Sequence, residues 1–270
     1  MLENNRPFLK WAGNKYRIID KIRRKLPQGK RLIEPFVGSA AVFLNTDYER
    51  YLLTDTNADL IELFKLLKHE GKDFIKYSNS FFTDKNNTEE RYYHFRDMFN
   101  SSDDRALKSA LFIYMNRHGY NGLCRYNSKG IFNVPFGRYK KPYFPEKEMQ
   151  IFHDKSQRAT FKTQSFDITM KASREGDVVY CDPPYVPLSL TSSFTAYATN
   201  SFGEKEQKIL ANVAQALSAR DIKVLISNHH TPFTKKMYHM AEISRFEVQR
   251  FISCKGHKRD KARELLALFA

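Results

Sequence analysis

One stretch constrains this chain more than any other: the apolar run from Asp177 to Cys181 meets Asp182-Pro183-Pro184-Tyr185 with no spacer. Val178, Val179, Tyr180 and Cys181 read as a buried strand. Proline has no N–H to give to a sheet ladder, so two in succession end the strand and stiffen the loop beyond it. In open α/β sheets, ligands bind at the carboxyl ends of strands. A buried strand that stops on an acid and two prolines therefore predicts a layered sheet with a site at that end.

The surrounding sequence agrees. Arg31 to Glu34 reads as a short strand, Pro35 to Ser39 as a turn, and Ala40 to Leu44 as the start of a helix. Tyr51 to Thr54 is a second strand, ending at Asp55. Asp59 to Lys68 has helical spacing through Leu60, Leu63, Phe64 and Leu67. Ala106 to Asn116 predicts another helix. Later come strand Asp177–Cys181, helix Glu204–Ala219, strand Lys223–Ser227 and strand Glu247–Ser253. Strand–helix alternation predicts an α/β fold with a mainly parallel sheet covered on both faces. Residues 57–145 break the alternation. They read as helical, followed by a β-hairpin of Leu123–Tyr126 and Ile131–Val134 around an Asn-Ser-Lys-Gly turn. This predicts an inserted subdomain within a domain made of residues 1–56 and 146–270.

The Asp-Pro-Pro-Tyr residues suit one chemical task. An exocyclic amine on a base is a poor nucleophile because its lone pair is delocalised into the ring. A carboxylate and a backbone carbonyl can accept its two hydrogens, and a tyrosine can stack on the base. The plainer alternative is a Pro-rich turn with a capping aspartate. Upstream, Phe8-Leu9-Lys10-Trp11-Ala12-Gly13-Asn14-Lys15 gathers an aromatic ring, a glycine and two amines, or forms a folded-down N-terminal arm. In Glu34-Pro35-Phe36-Val37-Gly38-Ser39-Ala40 the small residues permit close approach of a ligand to a helix start, although one glycine alone is not a dinucleotide fingerprint. Asp55, at the next strand end, is placed to hold ribose hydroxyls or to cap a turn.

Charge supplies the partner. The formal net charge is +15 and the pI near 9.6, which points to a polyanion, nucleic acid or an anionic membrane surface. From Arg105 to Pro145 there is no acid. That run carries Arg117, Arg125, Lys129, Arg138, Lys140 and Lys141, interleaved with Tyr120, Tyr126, Phe132, Phe136, Tyr139 and Tyr143. Phosphates reward the bases, and unstacked nucleobases reward the rings. A second basic cluster spans Lys255 to Arg263. Apolar stretches such as Ala110–Met115 fall far short of the ~18 residues a membrane span needs. The polar start reads as no signal peptide. Three cysteines give neither a zinc pattern nor a disulfide framework, so a reduced, cytoplasmic setting is expected.

Together these motifs resemble the Dam family of GATC-specific DNA adenine methyltransferases over nearly the whole chain. The resemblance is carried by FLKWAG with its lysine, EPFVG, Leu53–Asn57, RHGYNGLCRYN, FNVPFGRYKKPYF, VVYCDPPY, FTAY with NSF (Phe194 to Phe202), LISNH and the terminal ELLAL strand. Their order is that of the α-group amino-methyltransferases. The resemblance implies a Rossmann-like mixed sheet with a helical recognition subdomain, S-adenosylmethionine as methyl donor with no metal, and double-stranded GATC DNA as partner. It leaves the oligomeric state open. Trp11, Ala12, Lys15, Phe36, Gly38, Asp55, Phe166 and Asp182 look like cofactor contacts. Asp182, Pro183, Pro184 and Tyr185 look like the target-adenine site. Tyr120, Asn121, Leu123, Arg125 and Pro135 look like the base-reading hairpin. Lys10 and Tyr139 look like readers of the flanking guanine, and Arg117, Arg138, Lys140 and Lys141 like further DNA contacts. Asn14 and Ser39-Ala40 stand where relatives carry glycine. Asparagine tolerates a left-handed backbone, so the turn at Asn14 is expected to survive. Cytosine-N4 or RNA methylation, and a DNA-binding protein that has lost catalysis, are the competing readings.

Overall fold

A computed structural model describes residues 4–186, 202–249 and 261–270. The Phe194–Tyr197 motif, Cys254, residues 250–253 of the expected strand and most of the Lys255–Arg263 cluster lie outside them. In chain order the elements are helix α1 (Ile19–Lys25), strand β1 (Arg31–Glu34), α2 (Ala41–Leu44), β2 (Arg50–Asp55), α3 (Ala58–Glu70), α4 (Lys72–Asn79), α5 (Glu89–Ser101), α6 (Arg105–His118), α7 (Glu146–Ser156), β3 (Ala159–Thr163), α8 (Phe166–Lys171), β4 (Asp177–Cys181), α9 (Glu204–Ser218), β5 (Lys223–His229), α10 (Pro232–Met237), β6 (Glu242–Gln249) and β7 (Lys261–Phe269). Among the described residues, no helix is long and apolar enough to cross a membrane.

The chain packs as two compact units, one of residues 1–20 and 37–163, the other of residues 21–36 and 164–270. In the first, β2 and β3 pair in parallel from Tyr51↔Ala159 to Asp55↔Thr163. The Asn57 side chain caps α3 by accepting from the Leu60 N–H at 3.0 Å, which fixes how the chain leaves β2. The Asp104 carboxylate caps α6, accepting from Ala106 and Leu107. Aromatic rings fill the core, with Phe152 against Phe64 at 4.7 Å and Phe8 at 5.2 Å between centroids. Helices α4 and α5 fall within the stretch that reads as helical, whereas α7 and strand β3 have no distinct signature in the sequence. The β3 sequence Ala-Thr-Phe-Lys-Thr buries only Ala159 and Phe161, too brief an alternation to read.

In the second unit the strand order is β1-β4-β5-β7-β6. Strand β4 runs parallel to β1 and β5, and all five of its residues are buried, as expected for a strand covered on both faces. Strand β7 is antiparallel to both β5 and β6, which makes the sheet mixed. Strand β6 starts at Glu242, earlier than the sequence suggests, because it pairs along β7 from Glu242↔Leu268 to Gln249↔Lys261. Arg31 clamps the start of β1 to β4 through two bonds to the Asp177 carboxylate, at 2.8 and 2.6 Å.

The expected hairpin is an antiparallel loop rather than a pair of regular strands. It is held by single bridges at Tyr126↔Phe132 and Gly119↔Phe136. Asn127 closes its tip: the backbone N–H donates to the Ile131 carbonyl, and the side chain accepts from the Lys129 and Ile131 N–H groups. Between the bridges the arms meet through single bonds, from the Asn133 N–H to the Arg125 carbonyl at 3.2 Å and from the Tyr120 N–H to the Pro135 carbonyl at 2.8 Å, while the Leu123 N–H turns back to the Tyr120 carbonyl.

Candidate functional site

Asp182 leaves β4 at its carboxyl end. One of its carboxylate oxygens accepts the Ser227 hydroxyl at 2.9 Å, and Ser227 is fully buried on β5. The loop beyond Asp182 has little backbone bonding of its own, since two of its members are prolines. Side chains replace the ladder. Gln207 donates to the Pro184 carbonyl at 2.8 Å, Asn228 accepts from the Val186 N–H at 3.2 Å, and the His229 ring bonds the Val186 carbonyl at 2.8 Å. The Tyr185 ring meets His229 edge-on at 4.7 Å, and its hydroxyl donates to Glu264 at 3.3 Å. Burial, then the charges of Asp182 and Glu264, raise the Tyr185 phenol, so it stays neutral. Gln207, Ser227 and Asn228 hold this loop, and sequence reasoning misses them as individuals. The strand-end motif Leu225 to His229 is the only signal near two of them.

Also in the second unit, Phe36 stacks on Phe166 with centroids 5.3 Å apart, and Phe202 meets both rings edge-on at 5.4 and 5.3 Å. The sequence singles out Phe36 and Phe166 separately; only the fold adds Phe202 to this group.

In the first unit the small-residue turn packs tightly against Trp11. Gly38 has φ +46°, and a Cβ there would lie 2.9 Å from the Trp11 indole nitrogen. The Gly38 N–H donates to Asp55 at 3.2 Å, and the Asn57 N–H donates to its other oxygen at 3.0 Å. Burial outweighs those bonds and raises the Asp55 carboxyl. Ala40 takes the left-handed φ of 61°, so a glycine would sit there with less strain. Asn14 corrects the sequence argument. Its φ is −48°, and its side chain caps the turn Lys15–Ile18 by accepting from Tyr16 at 2.7 Å. Gly13 supplies the positive φ, at +77°. The turn survives because the second position needs a cap rather than a left-handed residue. Lys15 is buried and bonds the Gly13 carbonyl, while Ala12 is exposed.

The first unit also gathers the residues assigned to DNA. Lys10 lies 4.3 Å from the Tyr139 ring centroid, and the Tyr139 hydroxyl accepts from the Asn121 N–H at 3.0 Å. Buried Asn116, inconspicuous in the sequence, ties this group together. It accepts from the Lys10 N–H at 2.8 Å and donates to the carbonyls of Lys10 and Gly122 at 2.8 and 3.1 Å. Burial, then the charge of Arg117, lowers the Lys10 pKa. Tyr120 is 52% exposed while its N–H is held by the Pro135 carbonyl. Leu123 is half-buried and Pro135 exposed. Arg125 donates to the Asn133 side chain at 2.8 Å and to its carbonyl at 3.1 Å. Tyr126 anchors the loop through Asp59 at 2.7 Å.

The acid-free run borrows acids from elsewhere: Arg105 pairs with Glu62, Lys108 with Asp59 and Arg138 with Glu89. Arg117 bonds the Phe8 carbonyl and lies over the Tyr143 ring. Lys140 and Lys141 are exposed, on backbone that Asn87 holds through the Tyr139 and Lys140 carbonyls.

The chain matches the family model of D12 class N6 adenine-specific DNA methyltransferases over residues 11–252. It is 51% identical to the DNA adenine methylase of Escherichia coli K12 over 268 residues, covering 99% of this chain and 96% of that one. Identity to the DNA adenine methylase of Vibrio cholerae serotype O1 is 51% over 269 residues, with 99% and 97% covered. For the DNA adenine methylase of Serratia marcescens it is 51% over 269 residues, with 99% and 100% covered. A family match across most of the sequence, with relatives of this identity end to end, makes this chain a member of the D12 class N6 adenine-specific DNA methyltransferase family.

Proposed function

We propose that this enzyme transfers a methyl group from S-adenosylmethionine to N6 of adenine in GATC sites of duplex DNA. The observation that carries the reading is the clamped Asp182-Pro183-Pro184-Tyr185 loop at the end of β4. Gln207 engages the Pro184 carbonyl, so the amine's two acceptors are the Asp182 carboxylate and the Pro183 carbonyl. N6 cannot be reached inside the stack, so the adenine is flipped out. Tyr185 stacks on it and Asp182 draws on one amine hydrogen, which makes the lone pair more available. Ser227 holds the other side of the carboxylate, so Asp182 does not have to reorganise as the bond forms.

The residues fit the cofactor. Gly38 lets the turn pack directly against the Trp11 indole, Asp55 offers a carboxylate to ribose hydroxyls, and Phe36 and Phe166 offer rings to an adenine. Trp11, Ala12 and Lys15 complete the set we assign. When bound, S-adenosylmethionine supplies an electrophilic methyl on sulfonium with a neutral thioether as leaving group.

Reading falls to residues 57–145, with catalysis in 1–56 and 146–270. Arg125 exchanges its bond to the Asn133 carbonyl for two bonds to guanine O6 and N7, while Asn133 keeps the guanidinium aimed. Tyr120, Asn121, Leu123 and Pro135 contact bases, and Lys10 with Tyr139 reads the first guanine. Arg117, Arg138, Lys140 and Lys141 meet phosphate. A cytoplasmic setting fits this substrate. The test is transfer of labelled methyl to GATC duplex, scrambled duplex and RNA, followed by nucleoside analysis. The reading expects N6-methyladenine from GATC duplex alone. Label in cytosine or RNA, or no transfer at all, would overturn it.

A further inference from the structure

We infer that Gln207, on α9, is a positioning residue for the amine-binding loop. Proline fixes φ near −65° at both Pro183 and Pro184. The course of the loop is therefore decided by two soft torsions, the ψ angles of Pro183 and Pro184. Gln207 holds the second: its side-chain N–H donates to the Pro184 carbonyl at 2.8 Å, which sets the peptide plane entering Tyr185. The orientation of the Gln207 amide is itself determined. Its oxygen accepts from the Asn228 amide at 3.1 Å and from the Tyr238 hydroxyl at 3.3 Å, so the nitrogen must face the loop. Asn228 also donates to Tyr238 at 3.1 Å, and its own oxygen accepts from the Val186 and His229 N–H groups. Gln207 is 2% exposed, Asn228 0% and Tyr238 1%, so water cannot replace the bonds among these three side chains. One buried amide thus fixes the peptide plane that carries the Tyr185 ring to the base. A donor facing Pro184 is required, and a side chain of the same shape without that hydrogen does not serve.

This inference rests on the reading of Asp182–Tyr185 as the amine site, so Asp182→Ala is measured alongside. Gln207→Leu removes the donor, and Gln207→Glu keeps the shape but donates only while its acid is protonated. Burial raises such an acid above its ordinary value. Duplex and cofactor KM values are expected to stay within about twofold of wild type for both variants, since neither substitution removes a proposed binding group. For Gln207→Leu, kcat is expected to fall on the order of ten- to a hundredfold, the scale of a small misplacement at the reacting centre. For Gln207→Glu, the kcat ratio to wild type is expected to be near one in mildly acid buffer and to fall as pH rises. If Gln207→Leu fails to fold, the pH profile of the isosteric variant decides alone. A Gln207→Leu kcat within twofold of wild type, or a Gln207→Glu ratio flat with pH, overturns the inference. Full activity in Asp182→Ala would instead sink the reading beneath it.

Discussion

The Asp182–Tyr185 loop and the Tyr120–Phe136 hairpin are both irregular segments that carry proposed site residues, yet they are held in opposite ways. Buried side chains grip the loop, with Ser227 on the carboxylate and Gln207 and Asn228 on the backbone. The hairpin is gripped at its base by Asn116 and the His118 carbonyl, near its tip by the Tyr126–Asp59 bond, and along its second arm by Tyr92 and Asn100. On its proposed reading edge the Arg125 side chain is held by exposed bonds to Asn133. Methyl transfer tolerates little misplacement, and the proposed acceptors sit on a loop that is held before substrate arrives. A reading surface must release water and internal partners when it meets bases, so its outer bonds are weak enough to exchange. Substitutions in the loop should therefore strike kcat, and substitutions in the hairpin should strike discrimination.

The largest effect is expected from Asp182→Ala. Turnover in the labelled-methyl assay should disappear while duplex affinity, measured by fluorescence anisotropy, persists through the basic hairpin. Retention of a substantial fraction of the wild-type rate by the folded variant would break the contrast on the catalytic side.

Acid should loosen the hairpin base. His118 is buried on Tyr114, and burial lowers its pKa to about 4, below an ordinary value of 6.5. The unfolded chain therefore binds the proton that the folded chain refuses. The stability is fully present above pH ~6.5 and is lost as pH falls toward about 4, by up to about 3 kcal/mol. Urea melts across this range should show the slope, and His118→Phe should flatten it. Equal slopes in the two proteins would place the acid sensitivity elsewhere.

Arg125→Ala should cost on the order of 1–3 kcal/mol on the cognate site and much less on a site altered at the last base pair. The ratio of the two kcat/KM values would fall roughly ten- to a hundredfold. Both sites weakening alike would recast Arg125 as a phosphate contact. Smaller still is the expectation for Lys140→Ala or Lys141→Ala: all duplexes weaken about equally, and the log–log salt slope flattens by roughly one unit. A loss confined to GATC would make the lysine a base reader.

The sequence discloses the catalytic end of the sheet more fully than the recognition end. Strand β4 and the boundary at Asp182 are legible because apolar continuity and a proline pair are local signals. Gly38 and Asp55 draw notice in advance, since small and acidic residues at strand ends announce themselves locally, whereas Trp11 is singled out through the family resemblance. The hidden part is long-range. Gln207 and Asn116 look like ordinary helix surface residues until their partners, 23 and 106 residues away, are known. The acid-free run looks wholly available to phosphate, but Arg105, Lys108 and Arg138 meet acids from α3 and α5. Asn14 misleads because a left-handed residue is expected where the fold uses a cap.

The division between a fixed chemical loop and an exchangeable reading edge comes down to one experiment: single-turnover methyl transfer at saturating duplex by wild type, Asp182→Ala and Arg125→Ala, with GATC and altered-site binding measured on the same preparations. Asp182→Ala should keep its binding discrimination and transfer nothing. Arg125→Ala should lose discrimination yet transfer at close to the wild-type rate once GATC duplex saturates it. Loss of discrimination in Asp182→Ala, or a saturated rate in Arg125→Ala as low as that of Asp182→Ala, would contradict the division.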